Sequence, residues 1–340
     1  MRTYLGVDGG GTGTALCLVS EQGDVLGTVD APSCYYLGSA AGEGVGRVTR
    51  VLTDAVAALV ATSGTSRADI TSAFVGLPTY GEVSADVPLL DAAPRAALGH
   101  DRYDCGNDMI CGWAGSLALA DGVNVICGTG SMTYGQRAGR GLRVGGWGEV
   151  FGDEGSGYWI GVQGLRAFSQ MSDGRLPPGP LLDVLREHLS LVADLDAVDV
   201  VLNRWQGSRR EVAALARPVV EAARRGDVVA AAVLDEAGAE LARLVTTTRR
   251  GLGFGPQETV PVSYSGGVFG APEVLEAFRR HLAEAAGPVD LQAPALPPVV
   301  GAALHAAQLA DSPLPPAALA RLRRAVRPPI QPATAGGTPP

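Results

Sequence analysis

Short apolar runs separated by glycine-rich turns dominate the first third of the chain. The runs at residues 4–7 and 15–19, joined by such a turn, predict two strands, and residues 24–29 predict a third. Apolar residues then recur at three- and four-residue intervals from 44 to 61, which predicts an amphipathic helix. Further strands are expected at 70–77, 102–105, 123–127, 132–135 and 260–264.

The second half of the chain has a mainly helical pattern. Alanine-rich segments at 181–191, 210–225 and 228–250 predict helices, and further helices are expected at 109–120, at 272–281 and after residue 297. Strands that alternate with helices indicate an α/β fold. From residue 328 the chain is rich in proline, glycine, threonine and alanine, which predicts a disordered tail.

The composition limits the classes of function. With 340 residues, of which 46% are apolar, the chain can form two domains of ordinary size. Its net charge of −8, with no basic stripe, argues against a nucleic-acid partner, and no apolar run is long enough for a membrane span. The five cysteines form no Cys-x-x-Cys pair and are expected to be reduced packing residues. We therefore expect a cytoplasmic protein with a small-molecule ligand.

Candidate chemistry begins at the first glycine turn, which follows Asp8. Backbone N–H groups in such a turn can bind phosphate, and a neighbouring carboxylate can hold the Mg²⁺ ion that accompanies a nucleotide. We assign nucleotide binding to Asp8, Gly9, Gly10, Gly11, Thr12 and Thr14, with Asp8 also as the metal ligand. An ordinary glycine-rich hairpin turn is the alternative.

Two other phosphate motifs do not fit the sequence. A dinucleotide fingerprint needs glycines that open a helix, whereas strand-like residues follow Gly13. A P-loop needs a lysine, and all 27 basic residues of this chain are arginine. The same absence excludes protein kinases with their strand lysine and Schiff-base mechanisms.

The first turn has a counterpart later in the chain. Gly128, Thr129, Gly130 and Ser131 form a second glycine turn between two predicted strands. A third turn contains Ser265, Gly266 and Gly267. The repeat predicts an internal duplication in which each half provides one phosphate-binding turn, so that a nucleotide lies between two related domains.

Two further segments carry candidate substrate-binding residues. Asn107 and Asp108 lie at a strand-to-helix junction, where Asp108 is either a carboxylate presented to a cleft or a helix N-cap. Residues 145–160 are too rich in glycine for a regular core element. There, Trp147 is a candidate platform for a sugar ring and Asp153 an acceptor for its hydroxyls, with a purely structural loop as the alternative.

The order of these motifs resembles the family that contains N-acetylglucosamine kinase and the BadF-type ATPases, within the actin, sugar-kinase and Hsp70 superfamily. Residues 8–12 look like its first phosphate motif, 128–131 like its second, and 265–269 like its adenosine motif. Asp108 stands where the family keeps its catalytic aspartate, and residues 145–159 are similar to its sugar-binding signature. The resemblance covers roughly residues 3–305.

The resemblance implies two ribonuclease-H-like (actin-like ATPase) domains with a nucleotide cleft between them. We expect these domains at 1–118 and 119–327, followed by the tail at 328–340. The implied activity is transfer of the γ-phosphoryl group of MgATP to the 6-hydroxyl of N-acetylglucosamine or a close relative, with Asp108 accepting the hydroxyl proton. A homodimer is a candidate assembly.

The sugar is expected to contact residues from four segments of the chain: Cys34, Tyr35, Tyr80, Glu82, Asn107, Gly146, Trp147, Asp153 and Glu154. The family's amino-sugar kinases usually carry an asparagine where this chain has Cys34 and Tyr35, so the acyl specificity stays open. A kinase for glucosamine, another hexose or a cyclitol is one alternative. An ATP-dependent activator of a protein partner is another, although the paired cysteines that hold an iron–sulfur cluster in that branch are missing here.

Overall fold

The computed structural model describes residues 1–37, 43–285 and 287–326. Of these residues, 1–120 and 293–326 form one compact unit and 121–292 form a second. We call them the first unit and the second unit. The tail predicted at 328–340 lies outside the described residues.

The first unit is built on a five-stranded sheet in the order β3-β2-β1-β4-β5. Strands β1, β2 and β3 are antiparallel neighbours, whereas β1, β4 and β5 run parallel. Its elements up to residue 120 are β1 (Thr3–Gly9), β2 (Thr14–Ser20), β3 (Val25–Ala31), α1 (Gly46–Ser63), β4 (Ile70–Leu77), α2 (Val87–Leu98), β5 (Tyr103–Asn107) and α3 (Met109–Ser116).

The second unit has a sheet in the order β10-β9-β6-β7-β8, with a largely helical segment inserted before β9. Its elements are β6 (Gly122–Cys127), β7 (Ser131–Arg137), β8 (Arg140–Gly145), α4 (Gly157–Ser172), α5 (Pro180–Leu189), α6 (Asp196–Val198), α7 (Arg209–Ala214), α8 (Ala216–Arg224), α9 (Val228–Gly251), β9 (Val260–Ser265), α10 (Pro272–Ala285) and β10 (Val289–Gln292). A π-helical turn at Asp199–Arg204 follows α6.

The two sheets have the same topology. In each, the first three strands in sequence form an antiparallel meander, and the fourth and fifth add in parallel beside the first. Strand β6 therefore corresponds to β1, and the β6–β7 turn to the β1–β2 turn. This arrangement confirms the α/β fold and the duplication that the two glycine turns predict.

Helices α11 (Pro298–Leu309) and α12 (Pro316–Ala325) return the chain to the first unit. Helix α11 packs closely on β1 and α3: a Cβ on Gly6 of β1 would collide with the Ala303 nitrogen, and one on Gly301 would lie 2.6 Å from the Cys111 carbonyl oxygen. The predicted boundary at 118/119 lies close to the observed division. The prediction also placed every later residue up to 327 in the second domain, whereas the structure packs residues 293–326 in the first unit.

Side-chain alternation along β1 divides the core of the first unit. Leu5 and Val7 face the cluster that includes α1 and α2, whereas Tyr4 faces the cluster that includes α11 and α12. Because successive side chains of a strand point to opposite faces, Asp8 shares the face of Tyr4. That face is the one on which α3 packs.

Most predicted elements are present, but several helices and strands have no counterpart in the sequence-based prediction. Strands β8 and β10 and helices α4 and α12 were not predicted, and the helix expected at 210–225 is two helices that meet at Leu215. The glycine-rich loop is shorter than predicted, since regular structure ends at Gly145 and begins again at Gly157. In the described part of the chain, no helix has the length and apolarity that a membrane crossing requires.

Candidate active site

Two carboxylates lie at the same edge of the first sheet. In the register of the parallel strands, Asp8 on β1 is opposite Gly76 on β4, and Gly76 is opposite Gly106 on β5. Asp108 is the residue directly after β5, so it lies at the same end of the sheet as Asp8. The Asp108 N–H donates to the Leu77 carbonyl oxygen at 3.2 Å, which fixes the backbone at the start of α3. The parallel strands thus bring together Asp8 and Asp108, which are 100 residues apart in the sequence.

Asn107 forms the helix cap that the sequence offered as an alternative role for Asp108. Its Oδ1 accepts the Met109 N–H at 3.2 Å, and its Nδ2 donates to the Tyr80 carbonyl oxygen at 3.2 Å. The Asp108 side chain makes no capping hydrogen bond. Asn107 is 3% exposed, and these two hydrogen bonds hold the start of α3, while its predicted sugar contact stays a prediction.

A buried thiol lies near the two carboxylates. The buried Cys111 thiol on α3 donates to the Val7 carbonyl oxygen at 3.5 Å. Burial raises the pKa of Asp8 to about 7, while a hydrogen bond with Cys111 opposes the shift. Burial also raises the pKa of Cys111, and the negative charges of Asp8 and Asp108 raise it further, which places both carboxylates beside this thiol.

The first glycine turn is tight and open on its outer side. The Gly10 N–H donates to the Gly13 carbonyl oxygen at 2.8 Å, and Gly11 and Thr12 are exposed. A Cβ added to Gly11 would meet no described atom within 4 Å, whereas one added to Gly9 would lie 2.9 Å from the Gly76 carbonyl oxygen. Packing therefore requires glycine at position 9, and the space at Gly11 is available for a ligand.

Thr14 and Cys34 face away from this open side. The Thr14 hydroxyl accepts the Cys34 N–H at 3.2 Å and donates to the Cys34 sulfur at 3.3 Å. Thr14 is 2% exposed and Cys34 is completely buried. These two hydrogen bonds hold the loop after β3 against β2, and the predicted ligand contacts of Thr14 and Cys34 stay predictions.

The other predicted sugar contacts of the first unit lie nearer the surface. Tyr35 is 37% exposed, Glu82 is exposed, and Tyr80 is partly buried with its hydroxyl donating to Asp91 Oδ1 at 2.8 Å. The Asn107 hydrogen bond to the Tyr80 carbonyl oxygen ties the loop after β4 to the start of α3. Tyr80 is thus held next to the residue that precedes Asp108.

The second glycine turn lies against the start of α4. The Gly128 carbonyl oxygen accepts the Gly157 N–H at 2.9 Å, and the Thr129 carbonyl oxygen accepts the Tyr158 N–H at 3.2 Å. The Ser131 hydroxyl donates to the Glu154 carbonyl oxygen at 2.7 Å. A Cβ on Gly128 would have no described neighbour within 4 Å.

The third turn lies beside the second. Gly266, with a φ of 102°, packs against the backbone of Cys127, the last residue of β6. The Ser265 hydroxyl accepts the Asn124 Nδ2–H at 3.2 Å, and Gly267 has open space on its Cβ side. The second unit thus groups the predicted second phosphate motif with the predicted adenosine motif.

The glycine loop between β8 and α4 presents Trp147 to solvent, with 72% of the residue exposed. Gly146 and Gly148 adopt φ values of 71° and 88°, a backbone conformation that favours glycine. A Cβ on Gly152 would lie 2.9 Å from the Trp147 Cβ, so the loop closes tightly on itself below the indole. Glu154 is partly buried.

Asp153, in contrast, is 2% exposed and already paired. It adopts a φ of 56°, accepts the Ser131 N–H at 3.4 Å and forms an ion pair with Arg209. Desolvation raises the pKa of its carboxyl group, and the Arg209 charge opposes this shift. The carboxylate expected to bind sugar hydroxyls thus also contacts the second glycine turn.

Residues 5–306 match the model of the BadF/BadG/BcrA/BcrD ATPase family. The chain belongs to this family. It is 30% identical to an N-acetyl-D-glucosamine kinase of Dictyostelium discoideum, over 78% of this chain and 84% of the relative. It is 29% identical to an N-acetylmuramic acid/N-acetylglucosamine kinase of Clostridium acetobutylicum, over 83% of this chain and 90% of the relative.

A solved structure is also similar to this BadF/BadG/BcrA/BcrD ATPase. A Chromobacterium violaceum protein, named provisionally as an N-acetylglucosamine kinase, superposes with a TM-score of 0.68 at 26% identity, over 89% of this chain and 98% of that protein. These matches confirm the family that the order of motifs indicates.

The sequence did not predict that Arg209 belongs to the candidate site. The spacing of Ser208 and Glu211 in the sequence is typical of a helix start. In the structure, the Ser208 hydroxyl accepts the Glu211 N–H at 3.4 Å. That signal predicts a helix but not the contact of Arg209 with Gly130, which lies 79 residues earlier in the chain. Only the tertiary fold places an arginine there.

Asp8 and Asp108 are the candidate metal ligands at the edge of the first sheet. Among the described residues, no group of three or more histidine, cysteine, aspartate or glutamate side chains could hold a metal ion. Mg²⁺ at nucleotide sites needs only one or two carboxylates, because phosphates and water supply the other ligands. The pair Asp8 and Asp108 beside the open first turn fits that requirement.

Proposed function

We propose that this chain is an ATP-dependent amino-sugar kinase that transfers the γ-phosphoryl group of MgATP to the 6-hydroxyl of N-acetylglucosamine or a close relative. The observation that carries the proposal is the placement of Asp8 and Asp108 at one sheet edge beside an open glycine turn. Support comes from the family and from relatives named as amino-sugar kinases.

In this proposal Asp108 is the general base. Its carboxylate accepts the proton of the sugar hydroxyl and orients the oxygen for in-line attack on the γ-phosphorus. The new oxygen–phosphorus bond forms as the bond to the β,γ-bridging oxygen breaks, and ADP leaves with that electron pair. The capping of α3 by Asn107 supports this role, because the helix end does not use the Asp108 carboxylate as its cap.

Nucleotide binding is proposed for the open faces of the three glycine turns. Gly11, Gly128 and Gly267 have no positive φ and no described atom within 4 Å of an added Cβ, which leaves room for a ligand to approach the backbone closely. Backbone N–H groups of these turns would bind phosphate oxygens. Asp8 would hold Mg²⁺, which lowers the negative charge on the phosphates when it is bound.

Sugar binding is proposed for the glycine loop and the loops after β3 and β4. Trp147 would stack on the apolar face of the ring, with Gly146 and Glu154 nearby in the same loop. Asp153 has acceptor capacity for sugar hydroxyls in addition to Ser131 and Arg209, because a carboxylate offers about four lone-pair sites. Tyr35, Tyr80 and Glu82 would line the substituent at C2.

The C2 substituent decides between two substrates. Aromatic side chains such as Tyr35 and Tyr80 favour a neutral acetamido group. Glucosamine is the second candidate, because the exposed carboxylate of Glu82 could pair with its protonated amine. A Vibrio cholerae relative, 27% identical over 58% of this chain and 64% of its own length, is named a glucosamine kinase.

A sugar panel tests the proposal. ADP release is measured with N-acetylglucosamine, glucosamine, N-acetylmuramic acid, N-acetylmannosamine and glucose, and the phosphorylated carbon is identified by NMR. We expect turnover to rise many-fold with N-acetylglucosamine and the phosphate to be on C6. ATP hydrolysis that no sugar accelerates would contradict the kinase and favour an ATP-dependent activator. A kcat/KM for glucosamine about tenfold above that for N-acetylglucosamine, lost in Glu82→Gln, would reverse the assignment of the substituent.

We also propose that the protein is cytoplasmic and forms a homodimer. All five cysteines are buried single thiols, which agrees with a cytoplasmic enzyme and leaves none at the surface to hold a cluster between two copies. The homodimer rests on the resemblance alone. Sedimentation equilibrium of the purified chain tests it, and a monomer at micromolar concentration would contradict it.

A further inference from the structure

An ion-pair network in the second unit joins the glycine loop to helix α7. Arg209, the first residue of α7, places Nη2 on Asp153 Oδ2 and Nε 3.2 Å from Glu149 Oε2. The Asp153 side chain is 2% exposed and that of Arg209 is 36% exposed. One edge of the guanidinium is thus anchored by two carboxylates of the loop, while part of the group still reaches solvent.

The network lies directly against the second glycine turn. A Cβ added to Gly130 would lie 2.5 Å from Arg209 Nη2 and 2.6 Å from Asp153 Oδ2. Any side chain at position 130 would therefore have to displace the pair. The ion pair therefore favours glycine at position 130, whereas the space at Gly128 is open.

The guanidinium has donors to spare. Arg209 makes its ion pairs through Nη2 and Nε, and its Nη1 has no hydrogen-bond or ion-pair partner among the described residues. A planar guanidinium fixed along one edge offers the other donors in a defined direction. Carboxylate and phosphate oxygens are the acceptors that suit such a donor set.

We propose that Arg209 contacts a phosphate oxygen of the nucleotide at the second glycine turn, through Nη1. This inference rests on the proposed kinase function and adds a phosphate-binding cation to it. In a chain without lysine, arginine is the side chain that carries a permanent positive charge to a phosphate site. Asp153 then has two tasks, since it accepts sugar hydroxyls and also holds the guanidinium in place.

A purely structural role makes different predictions. If Arg209 only ties the glycine loop to α7, its loss changes the position of Asp153 and hence sugar binding, but leaves the affinity for nucleotide phosphates intact. The two roles are therefore separated by ligands that differ only in their phosphates.

The test compares ADP and adenosine binding to Arg209→Gln by isothermal titration calorimetry with Mg²⁺ present. Arg210→Gln is the matched control, because Arg210 is the exposed neighbour and the change in charge is the same. We expect the variant to bind ADP about 10- to 100-fold more weakly than the control, with adenosine affinity unchanged, since a charged hydrogen bond is lost. Equal ADP affinity in the two variants would overturn the proposal.

Chemical rescue covers the case in which Arg209→Gln folds poorly. Guanidinium ion at millimolar concentrations is added to Arg209→Ala, and both ADP affinity and turnover are measured. We expect recovery of at least several-fold in each, and no recovery in Asp108→Asn. Absence of rescue in a variant with the wild-type circular dichroism spectrum would contradict the phosphate contact. The binding measurements need no sugar, so they remain decisive even if the sugar panel shows no kinase activity.

Discussion

Asn107 caps helix α3 in place of Asp108, its neighbour in the sequence. The Asn107 side chain accepts the Met109 N–H at 3.2 Å, whereas the Asp108 carboxylate makes no capping hydrogen bond. Under the proposed function, Asn107 caps the helix and Asp108 is the general base. Stability and catalysis are then expected to be separable by mutation at this junction.

The first prediction uses that separation. We expect Asp108→Asn to lower kcat by about 10²–10⁴-fold, the usual contribution of a positioned base, with little change in Tm. Asn107→Ala is the control for the cap and should lower the free energy of unfolding by about 1 kcal/mol. Steady-state kinetics and thermal unfolding measure both effects. If Asp108→Asn loses stability but keeps its turnover, Asp108 is structural.

The second prediction concerns the close packing of α3 on β4. A Cβ on Gly76 would lie 3.2 Å from the Asp108 Cα and would collide with the Cys111 sulfur. We expect Gly76→Ala to lower the free energy of unfolding by about 1–3 kcal/mol and to lower kcat, because α3 must move.

Removal of the colliding sulfur provides the control for that prediction. The double variant Gly76→Ala with Cys111→Ala should recover part of the lost stability, measured by urea unfolding of all four members of the cycle. Additive losses in the double variant would show that the sulfur contact is not the cause.

The third prediction follows from the raised pKa of Asp8. Its pKa is about 7 in the folded chain and 3.8 without burial, so the folded state holds the proton more tightly. The unfolding free energy should therefore fall as the pH rises from about 4 to about 7. In Asp8→Asn this fall should be smaller, because the substituted side chain does not ionise.

The measurement is urea unfolding against pH with a chelator present, so that no divalent cation binds. Asp30→Asn, at an exposed position of the same sheet, is the control and should keep the wild-type profile. Identical pH profiles for Asp8→Asn and the wild type would contradict the shifted pKa. With Mg²⁺ restored, loss of ATP turnover in Asp8→Asn tests the proposed metal contact separately.

The fourth prediction concerns Trp147. Because the residue is 72% exposed, Trp147→Ala should change Tm little. Loss of stacking should raise the KM for the sugar about two- to tenfold and leave the KM for ATP unchanged. Phe151→Ala is the matched control, since Phe151 is 74% exposed in the same loop. Equal effects of the two substitutions would exclude a specific platform.

Local patterns in the sequence predicted the glycine turns and most strands, because these depend on residues close in the chain. Strand β4 was predicted with its observed limits, 70–77. The roles of Thr14 and Cys34 could not be predicted in this way, since each depends on a partner 20 residues away in another element. Likewise, nothing near residue 209 indicates that its charge lies against Gly130.

The domain boundary could not be predicted for a related reason. Helix α11 has the composition of an ordinary buried helix, and its small residues give no indication of which sheet it covers. Helix α11 can pack on the first sheet because two glycines far upstream, Gly6 and Gly115, have no side chain and leave room for its backbone.

The packing of α11 and α12 on the first sheet affects the order in which the two units can fold during synthesis. Strand β1 leaves the ribosome early, but the helices that cover its Tyr4 face follow only after the whole of the second unit. The ribosome therefore completes the second unit before it completes the first. The second unit can fold while α11 and α12 of the first unit have not yet been synthesised. A stop codon after residue 292 would leave the sequence of the second unit complete and would remove α11 and α12 from the Tyr4 face of the first sheet.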